Sequence, residues 1–478
     1  MSQPFEKKGV TKKSENLSDW YIDVITKSGM ADYSPVRGCI VYRPLSYQIW
    51  ENVQAYMNSE FTKMGIENSY FPLLIPESFL KKEAAHVEGF SPELAVVTIG
   101  GGEILEEKLI VRPTSETIMY DMYAKWIQSH RDLPLKLNQW NNVVRWEKRT
   151  MFFIRGMEFL WSEVHTAHAT HQEAWQQVID GIVLYEKMAR ELLAIPSVIG
   201  IKSQSEKFAG AHQTTTIESM MPDGKALQSG TSHDLGQNFS KAFNITFQNK
   251  EGSREHVWQT SIGISTRLLG AMVMLHGDDQ GLVLPPKTAP TQSIIIPIGT
   301  DSQILKTAEN IKLELENVGV RAKLDLRDEV SLGYKRNDHE LKGTPCRIEI
   351  GKKEFDSGIV SVIMRHNSHK EQIRLNAITT RIPQLLEQMQ KEMYDSAKQI
   401  ETNHTHEAKN YDEFKEIMNT TKGFIKVYWN EDSAIEAKIK QESKATTRCM
   451  PLNQQESEGA DFMTGQKADK VWLFAQAY

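Results

Sequence analysis

Apolar side chains at steps of three and four mark the first clear element. Leu45, Ile49, Val53, Tyr56, Met57, Phe61 and Met64 share one face of LSYQIWENVQAYMNSEFTKM, residues 45–64, and Gly65 follows. That spacing predicts an amphipathic helix with a glycine stop. SYFPLLIP comes next with strand character, but Pro72 and Pro76 cannot donate ladder hydrogen bonds, which places it at a sheet edge or a subunit boundary. Between 94 and 260, strand-length apolar runs (LAVVTIG, KLIVRP, NVVRW, MEFLWSEVH) alternate with turns, and HQEAWQQVIDGIVLYEKMARELLA forms one long helical run among them. Strands that dominate with helices interspersed predict a large α+β domain on an antiparallel sheet.

LVLPPKTAPTQ, residues 282–292, carries three prolines and reads as a linker. After it the pattern becomes a strict alternation of short apolar strands (SIIIPIG, VRAKLDL, PCRIEIG) with helices (ILKTAENIKLELENVG, LGYKRNDHELKG). This predicts a compact α/β domain with a mostly parallel sheet. The polar segment IETNHTHEAKN closes it, and a small third unit runs to Tyr478.

A chain of 478 residues is longer than one core usually organises, so two or three domains are expected. Apolar content of 40% and charged content of 25% are ordinary globular values. No run approaches the ~18 apolar residues of a membrane span, and the N-terminus lacks the pattern of an export signal. Cys39, Cys346 and Cys449 are far apart and odd in number, which fits a reducing compartment, and the cytoplasm is the simplest reading. The net charge of −6 does not advertise a polyanion partner, so any nucleic acid must be held by a local patch.

Against this background NNVVRWEKRTMFFIRGMEFLW stands out, because Arg145 and Arg155 lie in flanks that otherwise read as buried strand. If VVRW and FIRGMEF are adjacent antiparallel strands, EKRTMFF is their loop and both arginines stand at its feet. Two readings remain. Each guanidinium pairs with a surface carboxylate such as Glu147, or both face one concavity and bind phosphate oxygens. In VRPTSET, Thr114 or Ser115 is either a helix N-cap or, with Glu116, part of a site for an ammonium ligand. His165, His168 and His171 recur at a step of three without a nearby cysteine, which sets zinc ligation against solvated or pocket-wall imidazoles. LQSGTSHDLGQNFSKAF reads as a turn-like stretch that brings backbone close to a ligand. In SIGISTRLLGAMVMLHGDDQG a glycine-containing strand passes into an apolar helix with Arg267 at the junction, where a cation opposes the helix dipole and calls for an anion. Three arginines then point to one triphosphate.

Taken together, these segments resemble class II aminoacyl-tRNA synthetases, and most closely prolyl-tRNA synthetases of the archaeal and eukaryotic type. The helix before Pro72 looks like motif 1, VVRWEKRTMFFIRGMEF like motif 2 and GISTRLLG like motif 3, while RPTSE, LNQW, EFLWSE, KFAG and QSGTSHDLGQNFSKAF are similar to the proline enzymes in particular. The resemblance covers the chain from about Trp20 to Tyr478. It implies a tail (1–19), a catalytic antiparallel-sheet domain (20–285), an α/β anticodon-binding domain (286–403) and a small α+β C-terminal domain (404–478).

The resemblance further implies ATP, Mg2+, L-proline and tRNA(Pro) as cofactors and partners, and a homodimer. Arg145 and Arg267 would be catalytic. Thr114, Glu116, Arg145, Trp161, Glu163, Phe208 and His233 would line the proline pocket. Arg145, Glu147, Arg155, Gln228, Thr231, Ser265 and Arg267 would face the nucleotide, with Ser265 standing where many relatives have threonine. Glu340, Arg347 and Lys353 are the first choices for anticodon contact. Only about a hundred residues separate Trp161 from Ser261, which leaves no room for an editing insertion. Many relatives hold a zinc ion near the C-terminus with several cysteines, but Cys449 stands alone here, so no structural zinc and no metal ligand is expected. Tyr478 matches the family's ending, which implies a terminus docked on the catalytic domain. The alternatives are a catalytically dead paralogue, expected to lose a phosphate arginine, and a threonine enzyme, expected to show a Cys and two His in its core.

Overall fold

The computed structural model describes residues 9–80 and 94–478; the first eight residues of the expected tail lie outside the described residues. The elements that position the site are, in chain order, α1 (Leu17–Lys27), α2 (Pro44–Lys63), β1 (Glu67–Asn68), β2 (Leu74–Pro76), β3 (Ala95–Gly100), β4 (Glu103–Val111), α3 (Glu116–Trp126), β5 (Leu135–Val144), β6 (Glu158–His168), α4 (His171–Leu193), β7 (Val198–Ile201), β8 (Gln213–Met220), β9 (Ala226–Gly236), β10 (Trp258–Ser265) and α5 (Arg267–His276). α2 occupies the expected helix almost residue for residue, with Pro44 at its first turn and Gly65 at φ 68° just beyond its end. Within SYFPLLIP only Leu74–Pro76 is strand: this is β2, at the edge of a three-stranded sheet β2-β4-β3, where Pro76 costs no ladder bond, while β1 just before the segment adds a parallel edge to β5.

β8, β9, β10, β6 and β5 pair antiparallel in that order. α4 lies across the sheet and buries Ile182, Tyr185, Met188 and Leu192 in a core shared with Trp20 and Tyr21 of α1, Ile49, Val53 and Met57 of α2, and Ile262 and Ile264 of β10. Each large side chain buried there contributes about 1.5–3 kcal/mol of transfer free energy, which is what holds the helices to the sheet. The segment 227–236, expected as a turn, is the central strand β9. Its polar, glycine-containing sequence lacks the apolar–polar alternation that marks a half-buried strand, although Gly230 lies against Tyr185, Ile217 and Ile264.

Beyond α5 the chain continues through β11 (Ser293–Pro297), α6 (Ser302–Asn317), β12 (Ala322–Leu324), α7 (Leu332–Leu341), β13 (Cys346–Ile350), β14 (Ile359–Met364), β15 (Lys370–Arg374) and α8 (Ile378–Asn403). The sheet order is β12-β11-β13-β14-β15. β11 is parallel to β12 and β13, whereas β13–β14 and β14–β15 are antiparallel, so the sheet is mixed rather than mostly parallel. The chain between β13 and β14 is too short for a parallel crossover. The expected linker is also corrected. Leu282, Val283 and Leu284 are buried, Leu282 and Leu284 donate backbone bonds to Leu341 and Gly343, and nearby Asp278 takes a two-pronged contact from Arg365 at 2.7 and 2.6 Å. Its apolar LVL start makes it packed structure instead of a tether.

The last unit supplies β16 (Thr405–Glu407), β17 (Phe424–Tyr428), β18 (Thr446–Pro451) and β19 (Val471–Ala475). Through the pairing of β18 with β7, these strands extend the main sheet to eleven: β16-β17-β19-β18-β7-β8-β9-β10-β6-β5-β1. The terminus is docked as expected, with Tyr478 N donating to Ala226 O and Lys225 Nζ 4.7 Å from the Tyr478 ring centre. Beside the seam, buried Glu218 of β8 accepts from Lys202 at 2.7 Å and from Arg448 of β18 at 2.8 Å. Burial alone would raise the Glu218 pKa, but the two cations outweigh it and hold the carboxyl below its usual range.

Gly200 of β7 lies where the two strands meet, and a Cβ there would fall 2.5 Å from Cys449 Cβ and 2.6 Å from the Met450 carbonyl oxygen. Gly200→Ala is therefore expected to lower stability by about 1–3 kcal/mol, because a backbone oxygen cannot rotate away. Chemical denaturation compared with Gly333→Ala, where a Cβ would meet nothing nearer than the Ser331 hydroxyl oxygen at 3.8 Å, checks this; equal midpoints for Gly200→Ala and the natural chain would contradict it.

Candidate functional site

One cavity of about 210 Å³ opens on the face formed by β6, β9 and β10, and it gathers residues that are distant in sequence. Thr114 and Glu116 arrive at the start of α3, Arg145 at the end of β5, Trp161 and Glu163 on β6, Phe208 in the loop after β7, Gln228, Thr231 and His233 on β9, and Ser265 and Arg267 at the β10–α5 junction. All eleven line that cavity. Thr231 and His233 share a face because they are two apart on a strand, as do Trp161 and Glu163.

The floor is a dense polar network. Glu163 accepts from Gln139 Nε2 (3.0 Å), Asn141 Nδ2 (2.6 Å), Ser115 N (3.1 Å) and the Ser115 hydroxyl, and it contacts His165 Nε2 at 3.1 Å. Ser115 is thus the N-cap by position, but its hydroxyl serves Glu163 and not the helix end. Glu116 accepts from the Thr114 hydroxyl and from Ser261 Oγ at 3.0 Å. Burial lowers the His165 pKa, yet its hydrogen bond to Glu163 and the charges of Glu116 and Glu163 prevail and raise it. His233 goes the other way: burial brings it from 6.5 down to about 4, and Arg145 and His165 push in the same direction against Glu116. A neutral His233 stacks on Phe208 at 4.6 Å between ring centres and shares a 2.9 Å hydrogen bond with Thr214 Oγ1.

The opposite side of the cavity is cationic. Arg145 stands 5.4 and 5.5 Å from the ring centres of Phe159 and Trp161, and its Nε donates to Pro113 O at 3.0 Å. Arg267 donates to the carbonyls of Ile154 (3.0 Å) and Gln228 (3.2 Å), bridging the β5–β6 loop to β9. Burial, followed by the charges of Arg145 and Arg155, lowers the Arg267 pKa to about 10. Two guanidiniums concentrated in a partly desolvated space form a receptor for an anion.

Arg155 and Glu147 are not among the residues that line this cavity. β6 begins only at Glu158, so Arg155 lies inside the loop, where it bridges Met151 and forms a 2.8 Å ion pair with Glu147. For this arginine the carboxylate-paired reading describes the resting geometry, and it borders a neighbouring cavity of about 510 Å³ with Glu158 and Phe159. The three histidines do not act as a set: His165 contacts Tyr120 and Glu163, His168 contacts Thr166, and His171 contacts Asp234. In the second domain Arg347 of β13 and Arg336 of α7 share Glu349 at 2.9 and 2.6 Å, Lys353 is exposed on the next short helix, and Glu340 offers its backbone oxygen to Arg365. Sequence reasoning missed Glu206, Phe159, Ser229 and Gly263 in the cavity wall, since single residues of these types carry no pattern.

Comparison with known proteins gives a consistent picture. Residues 102–276 match the tRNA synthetase class II core domain (G, H, P, S and T), 292–385 the anticodon binding domain and 411–478 the C-terminal domain of prolyl-tRNA synthetase. The proline–tRNA ligase of Chloroherpeton thalassium is 48% identical over 479 residues, covering 98% of this chain and 99% of that protein. The proline–tRNA ligase of Rubrobacter xylanophilus is 47% identical over 472 residues, 98% of each. Among solved structures, prolyl-tRNA synthetase from Cryptosporidium parvum, complexed with halofuginone and AMPPNP, superposes with a TM-score of 0.95 at 41% identity, covering 99% of this chain and all of that one.

The depressed His233 pKa carries a stability consequence. The unfolded chain takes up a proton near 6.5 that the folded cavity refuses until about 4, so stability is fully present above 6.5 and falls as the pH drops through that window. Melting temperatures measured from pH 7 to 4 are expected to decline, and His233→Asn should flatten the slope. Some slope persists, because burial also holds His276 near 4. An unchanged slope in the variant would refute the assignment.

Proposed function

The chain belongs to the prolyl-tRNA synthetase family, as an enzyme that joins proline to tRNA, and from that premise we propose how its cavity carries out the reaction. No editing insertion interrupts it, since α4, β7, β8 and β9 account for the chain between the strands that carry Trp161 and Ser261. In the proposal Glu116 meets the secondary ammonium of proline with Thr114 beside it, and Trp161, Phe208 and His233 wall the pyrrolidine ring. Glu163, saturated by its own donors, fixes the polar floor on which Glu116 stands. Arg145 would bridge the proline carboxylate and the α-phosphate of ATP. Arg267 takes the departing phosphates, and Gln228, Thr231 and Ser265 take the remainder of the nucleotide.

The carboxylate oxygen attacks the α-phosphorus in line and pyrophosphate leaves with the electron pair of the broken P–O bond. The terminal hydroxyl of tRNA then attacks the carbonyl carbon of the mixed anhydride and AMP leaves. No protein nucleophile is needed; rate comes from holding reactants in line and from cations already in place for the growing charge. Arg145 and Arg267 in one cavity are the observation that carries this reading. On ATP arrival Arg155 and Glu147 exchange their mutual contact for the nucleotide. Mg2+ prefers hard oxygen ligands and would be held mostly by the phosphates of ATP and by water.

Glu340, Arg347 and Lys353 would meet anticodon bases, with Arg347 leaving Glu349 for the RNA. The divisions at residues 19, 285 and 403 are proposed as domain boundaries. The C-terminal unit would fold without zinc: Cys449 packs among Met220, Phe424 and Leu473, where burial pushes its thiol up to about 12, unlike a thiolate ligand. Large apolar side chains exposed around α2, among them Tyr33, Val41 and Tyr70, support a homodimer. Three cysteines without a disulfide support a cytoplasmic location, and no helix among the described residues is long and apolar enough to cross a membrane.

Arg145→Ala is expected to reduce proline-dependent ATP–pyrophosphate exchange by at least about 10²-fold, the scale for losing one transition-state donor. Arg155→Ala should cost distinctly less. Exchange measured with each amino acid in turn checks the proposal: exchange with another amino acid but not proline, or full activity in Arg145→Ala, would overturn it.

A further inference from the structure

His171 and His212 converge on a carboxylate that the reaction does not use. Asp234 is 1% exposed, and its Oδ2 lies 2.7 Å from His171 Nε2 and 3.5 Å from His212 Nδ1. All three donor atoms fall within 4.8 Å of one another, and they come from the first turn of α4, the residue before β8 and the end of β9. Among the described residues no lysine or arginine forms an ion pair with Asp234, although a buried carboxylate calls for positive charge.

The surrounding contacts orient these groups. Asp234 Oδ1 accepts from Gly236 N at 2.9 Å, which turns Oδ2 toward the imidazoles. His212 N donates to Asp234 O at 2.8 Å and fixes the backbone beneath its ring. Trp258 packs on His171 with ring centres 4.7 Å apart. Hydrogen-bonded and packed neighbours of this kind hold first ligands in place at metal centres.

We propose that His171, His212 and Asp234 form an exchangeable site for a divalent transition ion of the Zn2+ or Co2+ class. Two imidazoles and one carboxylate are the three-ligand set such ions accept, with the fourth position open to water, as the exposure of both histidine rings provides. Tetrahedral zinc bonds near 2.0–2.1 Å put ligand atoms about 3.4 Å apart, so the present spacings need only small movements. The site differs from a closed cysteine-rich zinc centre and abuts the proline pocket, because Asp234 follows His233 and His212 ends the loop that carries Phe208. The triplet His165, His168 and His171 misleads in this respect: only His171 takes part, and its partners lie about forty and sixty residues further along the chain.

The test uses the full chain, stripped with a chelator and titrated with Co2+ in the absence of nucleotide. About one Co2+ per chain is expected, with visible d–d absorption and a higher melting temperature. His171→Ala and His212→Ala should each weaken binding at least about tenfold, while His168→Ala retains it. Circular dichroism confirms that the variants fold. Absence of the absorption in the natural chain, or its survival in both His171→Ala and His212→Ala, would overturn the proposal.

Discussion

Two guanidiniums held across one small cavity against their mutual repulsion set the terms for the rest of the catalytic domain. Arg267 is destabilised by burial and by Arg145 and Arg155, so its place must be enforced by structure. The enforcement is visible in the carbonyls of Ile154 and Gln228, which tie Arg267 to the hairpin loop and to β9, and in the rings of Phe159 and Trp161 beneath Arg145. A flexible loop would let the two cations drift apart and hydrate. Strands paired on both sides do not.

The anionic half of the cavity follows the opposite logic. Glu163 is neutralised by a shell of amides and hydroxyls, whereas Glu116 accepts from the hydroxyls of Thr114 and Ser261, so two neighbouring carboxylates stand in different surroundings. Glu163 is satisfied within the protein, and so buried a carboxylate left with half its partners would cost more than it contributes. His233, neutral between these halves, gives the wall an aromatic face without adding charge.

Elements with a strong period were legible in the sequence: α2 and α4 follow from apolar spacing, and the β10–α5 junction from an arginine at a helix start. β9 was not, because a strand that bears ligand-facing threonine, serine and histidine loses the alternation by which strands are recognised. The segment 282–292 was misjudged since its prolines outweighed the apolar Leu282, Val283 and Leu284 that bury it. Arg145 and Arg267 were found through charge in apolar flanks. That signal was equally strong for Arg155, where Glu147 satisfies it locally. Contacts between distant segments, such as Asp234 with His171, leave no trace in local spacing.

The continuity of the eleven-stranded sheet bears on biosynthesis. Until β18 is made, β7 is an open edge, with Lys202 and Glu218 beside it lacking Arg448. A ribosome-bound chain that already contains the whole catalytic domain thus carries a template for strand addition by another nascent chain. The final strands act as an internal cap made after the catalytic domain, so termination before Thr446 would release an enzyme core that is complete in its cavity yet prone to pair with its own kind.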